Sequence, residues 1–164
     1  MKKLMGVVAL SVLLIGGQVL ALRQSATAGP RCKMISGRIT SFLRNDCPTP
    51  TGFCTAGTFF GDGLLNGTTH TTVQAIAAAA GGLMGEVPTT LSFTALITFD
   101  TNKGILTVRD TGIFDTAGQG LFSSRSVVVE GTGEFVGATG FLFTHGTGLS
   151  ELQTEVSGEV CLTE

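Results

Sequence analysis

An all-β domain, built as a small closed antiparallel barrel of about eight strands, is what these 164 residues lead one to expect. From Ser36 onward, short segments rich in Thr, Val, Ile and Phe recur at intervals of about 10 to 15 residues and end on Gly, Asp or Asn. Within several of them apolar and polar residues alternate with a period of two, the spacing of a half-buried strand. Charged residues make up only 13% of the chain and hydrophobic ones 43%, which excludes a coiled coil or a charge-rich disordered tail and argues for a packed core.

The elements follow in order. Ile39 to Leu43 gives a first strand and Leu64 to Val73 another, with Asn66-Gly67 as a bulge or turn. Gln74 to Gly82 is the one stretch suited to a helical turn, and Gly81-Gly82 with the later Pro88 favour a loop or a short helical excursion. Leu91, Phe93, Ala95, Ile97 and Phe99 alternate with polar neighbours, Leu96 being the exception. Asp100 to Gly104 makes a hairpin turn into the strand Ile105 to Asp115. There Leu106, Val108 and Phe114 share a face with Asp110, while Thr107, Arg109 and Thr111 share the other. A turn through Thr116 to Gly120 leads into Leu121 to Glu130, Gly131-Thr132-Gly133 turns the chain again, and Phe141 and Phe143 mark another strand. Leu152 to Leu162 closes the sequence. A sandwich fits the same pattern, but closure would set the first and last strands side by side, where a Cys32–Cys161 bond needs no distortion, and this favours the barrel.

The first 28 residues read as an export signal. Lys2 and Lys3 form a basic start, Leu4 to Leu22 is apolar and uncharged, and Ala21 and Ala28 each end a small-residue cleavage pattern, the latter preferred. The alternative is an uncleaved anchor, since about 19 apolar residues just span a bilayer; Gly16-Gly17 and the cleavage patterns argue against it. Lipid attachment at Cys32 is disfavoured by Gly29-Pro30-Arg31 before it. Residues 29–164 then form a single domain, secreted or periplasmic, with no membrane contact in the mature form. The chain carries a formal charge of −2; with Lys2, Lys3 and Arg23 in the leader and no acid there, the remainder holds seven basic against twelve acidic side chains, a net of −5. Such a chain suits neither nucleic acid nor an anionic membrane surface.

Cys32, Cys47, Cys54 and Cys161 all fall in the mature part, and an even number in an exported chain suggests two disulfides. Cys47 to Cys54, with Pro48 and Pro50 between, looks like a closed surface loop, which leaves Cys32 for Cys161; Cys161 bonded to Cys47 or Cys54 is the open alternative. A zinc site lacks support, because no C-x-x-C occurs and His70 and His145 show no ligand spacing. His70, in a Thr-rich run, reads as an exposed strand residue. Asn66-Gly67-Thr68 matches a glycosylation acceptor without a reason to assume a glycosylating host. Glu130 and Glu134 flank a turn, and no Ser or Cys carries a nucleophile motif.

The most specific stretch is Val128 to Phe141, which holds Gly131, Thr132, Gly133, Phe135, Ala138 and Gly140. Its G-x-G-x-x-x-G spacing imitates a dinucleotide fingerprint, but that motif needs a helix after it, and here strands lie on both sides. As V-V-x-G-T-G-x-F-x-x-A-x-G-[FY], the stretch resembles the signature of the dirigent and allene oxide cyclase superfamily. The preceding hairpin, with Asp110 to Phe114, is similar in order and length, so the likeness covers roughly Leu91 to Leu162. The resemblance implies an eight-stranded antiparallel barrel with a small apolar lumen, often assembled as trimers, that steers ring closure or radical coupling of small hydrophobic molecules without a cofactor. The chain has Val136 and Thr139 where plant dirigent proteins usually carry Arg, and Phe141 where they carry Tyr. The fold therefore carries over better than the activity.

A cyclase of this kind needs a few polar groups in an otherwise apolar cavity. Asp110 is the first candidate by its shared face with Leu106, Val108 and Phe114. His145 has the parity of Phe141 and Phe143 and is suited to acid–base work near neutral pH. Arg125 has the parity of Val127 and Val129 and is placed to pair with Asp110. Each also has an ordinary role open to it: a turn cap for Asp110, a solvated face for Arg125, a strand end for His145. One bulge reverses any of these assignments. Two readings of function result. One is a barrel that binds a small hydrophobic compound in its lumen and directs a cofactor-free cyclisation or coupling. The other is a non-enzymatic module whose lumen Phe and Leu side chains fill. A cavity of at least about 300 Å³ with Asp110 or His145 facing in distinguishes the first from the second.

Overall fold

Eight strands, each antiparallel to the next, close on themselves when the last pairs with the first. The structure, a computed structural model, describes residues 29–45, 47–79 and 89–163. The expected export segment lies outside them. The strands are β1 (Arg31–Arg44), β2 (Cys54–Gly61), β3 (Gly67–Ala78), β4 (Thr90–Thr101), β5 (Gly104–Asp115), β6 (Phe122–Gly131), β7 (Thr139–Thr147) and β8 (Glu151–Leu162). Closure leaves no edge strand open to pair with another chain. No helix among the described residues is long and apolar enough to cross a membrane.

The ends of the chain meet as closure demands. β1 pairs with β8 from Arg31 to Phe42, with Cys32 directly opposite Cys161, and the two are disulfide-bonded. The second disulfide joins Cys47 to Cys54 and closes the short loop before β2. Both pairings follow the preferred reading of the four cysteines.

Two elements, β2 and β3, depart from what the alternation predicts. β2 has no counterpart in the sequence reading, because small residues and the adjacent Phe59 and Phe60 hide its period: Phe59 is buried and Phe60 exposed. β3 starts at Gly67, later than expected, because Leu64 and Leu65 both bury in the preceding turn. It also continues through Gln74 to Ala78 as strand where a helical turn or loop is expected, after a register shift between Val73 and Ala75. Residues 80–82 of that expected excursion lie outside the described residues.

The core is concentrated at one end of the barrel. Phe99 and Leu106, on either side of the β4–β5 hairpin, bury completely with Leu65 from the β2–β3 turn, Leu142 and Phe135. The Phe59 and Phe99 rings meet edge to face with centroids 5.8 Å apart.

The glycine-rich motif builds this closed end. Between β6 and β7 the chain makes one 3₁₀ turn, Gly133–Phe135, in place of the simple turn expected at Gly131–Gly133. Gly133 adopts φ 59, and a Cβ there would sit 2.2 Å from the Lys103 carbonyl oxygen of the β4–β5 hairpin, so only glycine fits. Thr132 ties the turn to β5: its Oγ1 accepts from the Ile105 N–H at 2.9 Å, and its own N–H donates to the Ile105 carbonyl at 2.8 Å. The turn delivers Phe135, fully buried, into the barrel as a plug.

Candidate functional site

The opposite half of the lumen is not filled. A cavity of about 340 Å³ opens at the end that carries the β1–β2, β5–β6 and β7–β8 connections. Its walls are mainly aliphatic and aromatic, from Ile39, Val73, Phe93, Ile97, Phe114 and Phe122 among others. The inward alternation of β4 supplies Leu91, Phe93, Ala95 and Ile97 to it, as the period of two predicts.

Asp110 lines this cavity and is 3% exposed. It is the single ionisable side chain among the described residues of the lining. Strand β5 aims it inward with Leu106 and Val108, and the ladders set it between Ala95 of β4 and Ser126 of β6. Ser126 Oγ donates to Asp110 Oδ1 at 2.7 Å, and Ser124 Oγ donates to Oδ2 at 2.9 Å. Ser124 Oγ also meets Thr144 Oγ1 of β7 at 2.5 Å. All four side chains are buried, and no buried side-chain nitrogen or oxygen among the described residues lacks a hydrogen-bond partner.

Local packing makes room for this cluster. Gly112 faces Ser124 across the β5–β6 ladder. A Cβ at position 112 would lie 2.4 Å from Ser124 Cβ and 2.8 Å from the Phe93 ring. Glycine there lets the serine and the ring approach the same spot.

Burial raises the Asp110 carboxyl above its ordinary value of 3.8. The Ser126 and Ser124 hydroxyls and the Thr111 backbone N–H pull it back by stabilising the charge, and desolvation prevails. The site is thus a carboxyl of increased proton affinity, firmly held, at the inner end of an apolar cavity. It can take or give a proton, and it can orient a guest through a single polar point.

The other two candidates lie outside the barrel. Arg125 is exposed, opposite Thr111 and Phe143, and its guanidinium sits 5.6 Å from the centroid of the Phe141 ring. It does not pair with Asp110, which faces the lumen. His145 is exposed, flanked by Ser123 and Glu155. Both corrections have one cause: the inner faces of β6 and β7 are the less apolar ones. Phe143 is 47% exposed and Val129 43%, while Ser124, Ser126 and Thr144 are buried. Val129 shares the outward parity of Arg125 and Val127, and a register shift beside Val108, which pairs Val108 with Val128 and Thr107 with Glu130, skips it.

Sequence reasoning therefore missed Ser124, Ser126 and Thr144. The only signal for them was parity: Ser124, Ser126 and Val128 fall on one face of β6, the face that must meet Asp110. Cys32 and Cys161 lie beside Glu159 close enough to suggest a metal, but the disulfide leaves no thiolate to serve as a ligand. His70 is exposed, as its Thr-rich setting predicts, with Nδ1 3.1 Å from the Thr55 carbonyl oxygen. Comparison of the chain with protein-family models, with curated proteins and with solved structures returns no match.

Proposed function

We propose that this chain is an exported protein that holds a small, largely apolar molecule in the open half of its barrel and orients it for a cofactor-free cyclisation or coupling. The observation that carries this reading is the 340 Å³ apolar cavity with one buried carboxyl at its inner end. Its size falls in the range of small-molecule sites, and walls of this kind exclude water from a reactive guest. Asp110 supplies the one acid–base group in the lining among the described residues, with a raised proton affinity that suits it to take or give a proton. The likeness of Val128 to Phe141 to the dirigent and allene oxide cyclase signature supports the same direction. Two disulfides fit an oxidising compartment. The resemblance also favours a homo-oligomer such as a trimer, and the exposed Phe143 and Val129 offer apolar surface for it.

Native mass spectrometry of the protein secreted by its own host tests the reading. We expect a retained compound of about a few hundred daltons, lost in Ala95→Phe. Ala95 is 1% exposed, lines the cavity and sits beside Asp110, so the larger ring occupies the guest's space. A wild-type barrel that stays empty after incubation with an organic extract of its host refutes the proposal. The same spectrum reads the mass of the assembly.

A further inference from the structure

The hydrogen bonds around Asp110 have a direction. With the Asp110 carboxyl ionised, Ser126 spends its one hydroxyl hydrogen on Oδ1, and Ser124 spends its one on Oδ2. The 2.5 Å contact between Ser124 and Thr144 then runs from Thr144 to Ser124, because Ser124 has no second hydrogen to give. The Thr111 backbone N–H adds a further donor to the carboxylate. Every donor in the cluster is spent within it, on Asp110 directly or, for Thr144, on Ser124, and none is left for the lumen. Yet Asp110 and Thr144 both line the cavity. What they offer a guest is lone pairs alone.

Ser41 and Thr154 elsewhere on the wall carry hydroxyls, each able to donate or to accept, whereas Asp110 is the single ionisable side chain in the lining among the described residues. The polarity of the site is therefore decided at the Asp110 cluster. We infer that the lumen selects an apolar molecule carrying a hydrogen-bond donor at its inner end, an alcohol or phenol O–H or an amine N–H. Molecules whose only polar group is an acceptor, such as an ether, leave two sets of lone pairs facing each other. A carboxylate adds repulsion from Asp110. This specificity rests on the lumen-binding reading above.

A matched set of probes tests it: 2-naphthol, 2-methoxynaphthalene and 2-naphthoate, titrated at pH 8 and followed by the anisotropy of their own emission. The chain has no Trp or Tyr to interfere. For the wild type we expect 2-naphthol to bind at least about tenfold more tightly than 2-methoxynaphthalene, the worth of one hydrogen bond to a charged group, and 2-naphthoate to bind most weakly. Asp110→Asn places an amide N–H in the cluster, which lets Ser124 turn toward Thr144 and frees the Thr144 hydrogen for the lumen. The preference for 2-naphthol then falls to about twofold or less, or inverts. If that variant fails to fold, Ser124→Ala serves instead: it severs Thr144 from Asp110, and the preference must drop in the same direction. Equal binding of 2-naphthol and 2-methoxynaphthalene to the wild type, or an unchanged preference in the variant, overturns the inference and leaves lumen binding standing. If none of the three probes binds, the inference falls together with the reading beneath it.

Discussion

Ser126 and Asp110 are direct register partners on β6 and β5, and the serine hydroxyl donates to Asp110 Oδ1 at 2.7 Å on the inside of the barrel. That contact joins fold to function. A carboxyl buried among Ile, Val and Phe side chains is tolerated only when its oxygens are met by donors. Meeting them with Ser124 and Ser126, in place of a lysine or arginine, leaves the site without a counter-charge and its proton affinity raised.

The first prediction concerns pH. A raised folded-state value means that the native barrel binds the Asp110 proton more tightly than the unfolded chain does. This group's contribution to stability is then fully present below its ordinary value of 3.8 and is lost as pH rises through the raised value. Each tenfold gain in proton affinity is worth about 1.4 kcal/mol. In denaturant melts at a series of pH values, the wild type should lose stability relative to Asp110→Asn as pH climbs from 4 to 8. Parallel curves for the two proteins would show that Asp110 titrates normally.

Phe135 should matter to stability and little to the open cavity. It is fully buried at the closed end and does not line the cavity. Phe135→Ala should cost about 3–5 kcal/mol by leaving a void under the 3₁₀ turn, while the variant at low temperature still binds an apolar probe. A loss below about 1 kcal/mol in urea melts would mean that the turn does not plug the barrel.

Removing the two disulfides should cost unequal amounts. Cys32 and Cys161 are 129 residues apart in sequence and Cys47 and Cys54 only 7, so loop-closure entropy assigns about 5 kcal/mol to the first bond and about 2.5 kcal/mol to the second. Paired Cys→Ser variants compared by thermal melting should rank in that order. Thiol titration of the unfolded, unreduced protein should find no free thiol, and four reactive thiols there would remove the basis for an oxidising compartment.

Arg125→Ala and His145→Ala should leave lumen binding unchanged, since both side chains lie on the outer surface. Loss of Arg125 removes only its contact with the Phe141 ring, which is worth about 0.5–1 kcal/mol at an exposed site. Weakened probe binding in either variant, with the fold intact, would place these residues in the site after all.

The sequence by itself determined the all-β class, and the period of two it shows in β4 and β5 put Asp110 on the face that the structure turns inward. In β4 and β5 the inward residues are large and apolar, so alternation reports burial directly, and Asp110 is carried inward by Leu106 and Val108. Cys32 and Cys161, at either end of the strand-rich part of the sequence, pointed to neighbouring terminal strands, as their disulfide bears out. Only the tertiary structure decided which faces of β6 and β7 look inward. A small hydroxyl can be exposed or buried at little cost once it has a partner, and that partner for Ser124 and Ser126 is a carboxylate on another strand, at Asp110. Nor could local pattern reveal that one half of the lumen is packed by Phe59, Phe99 and Phe135 while the other is open. That division depends on how the side chains of all eight strands, brought together from distant parts of the sequence, share one enclosed volume.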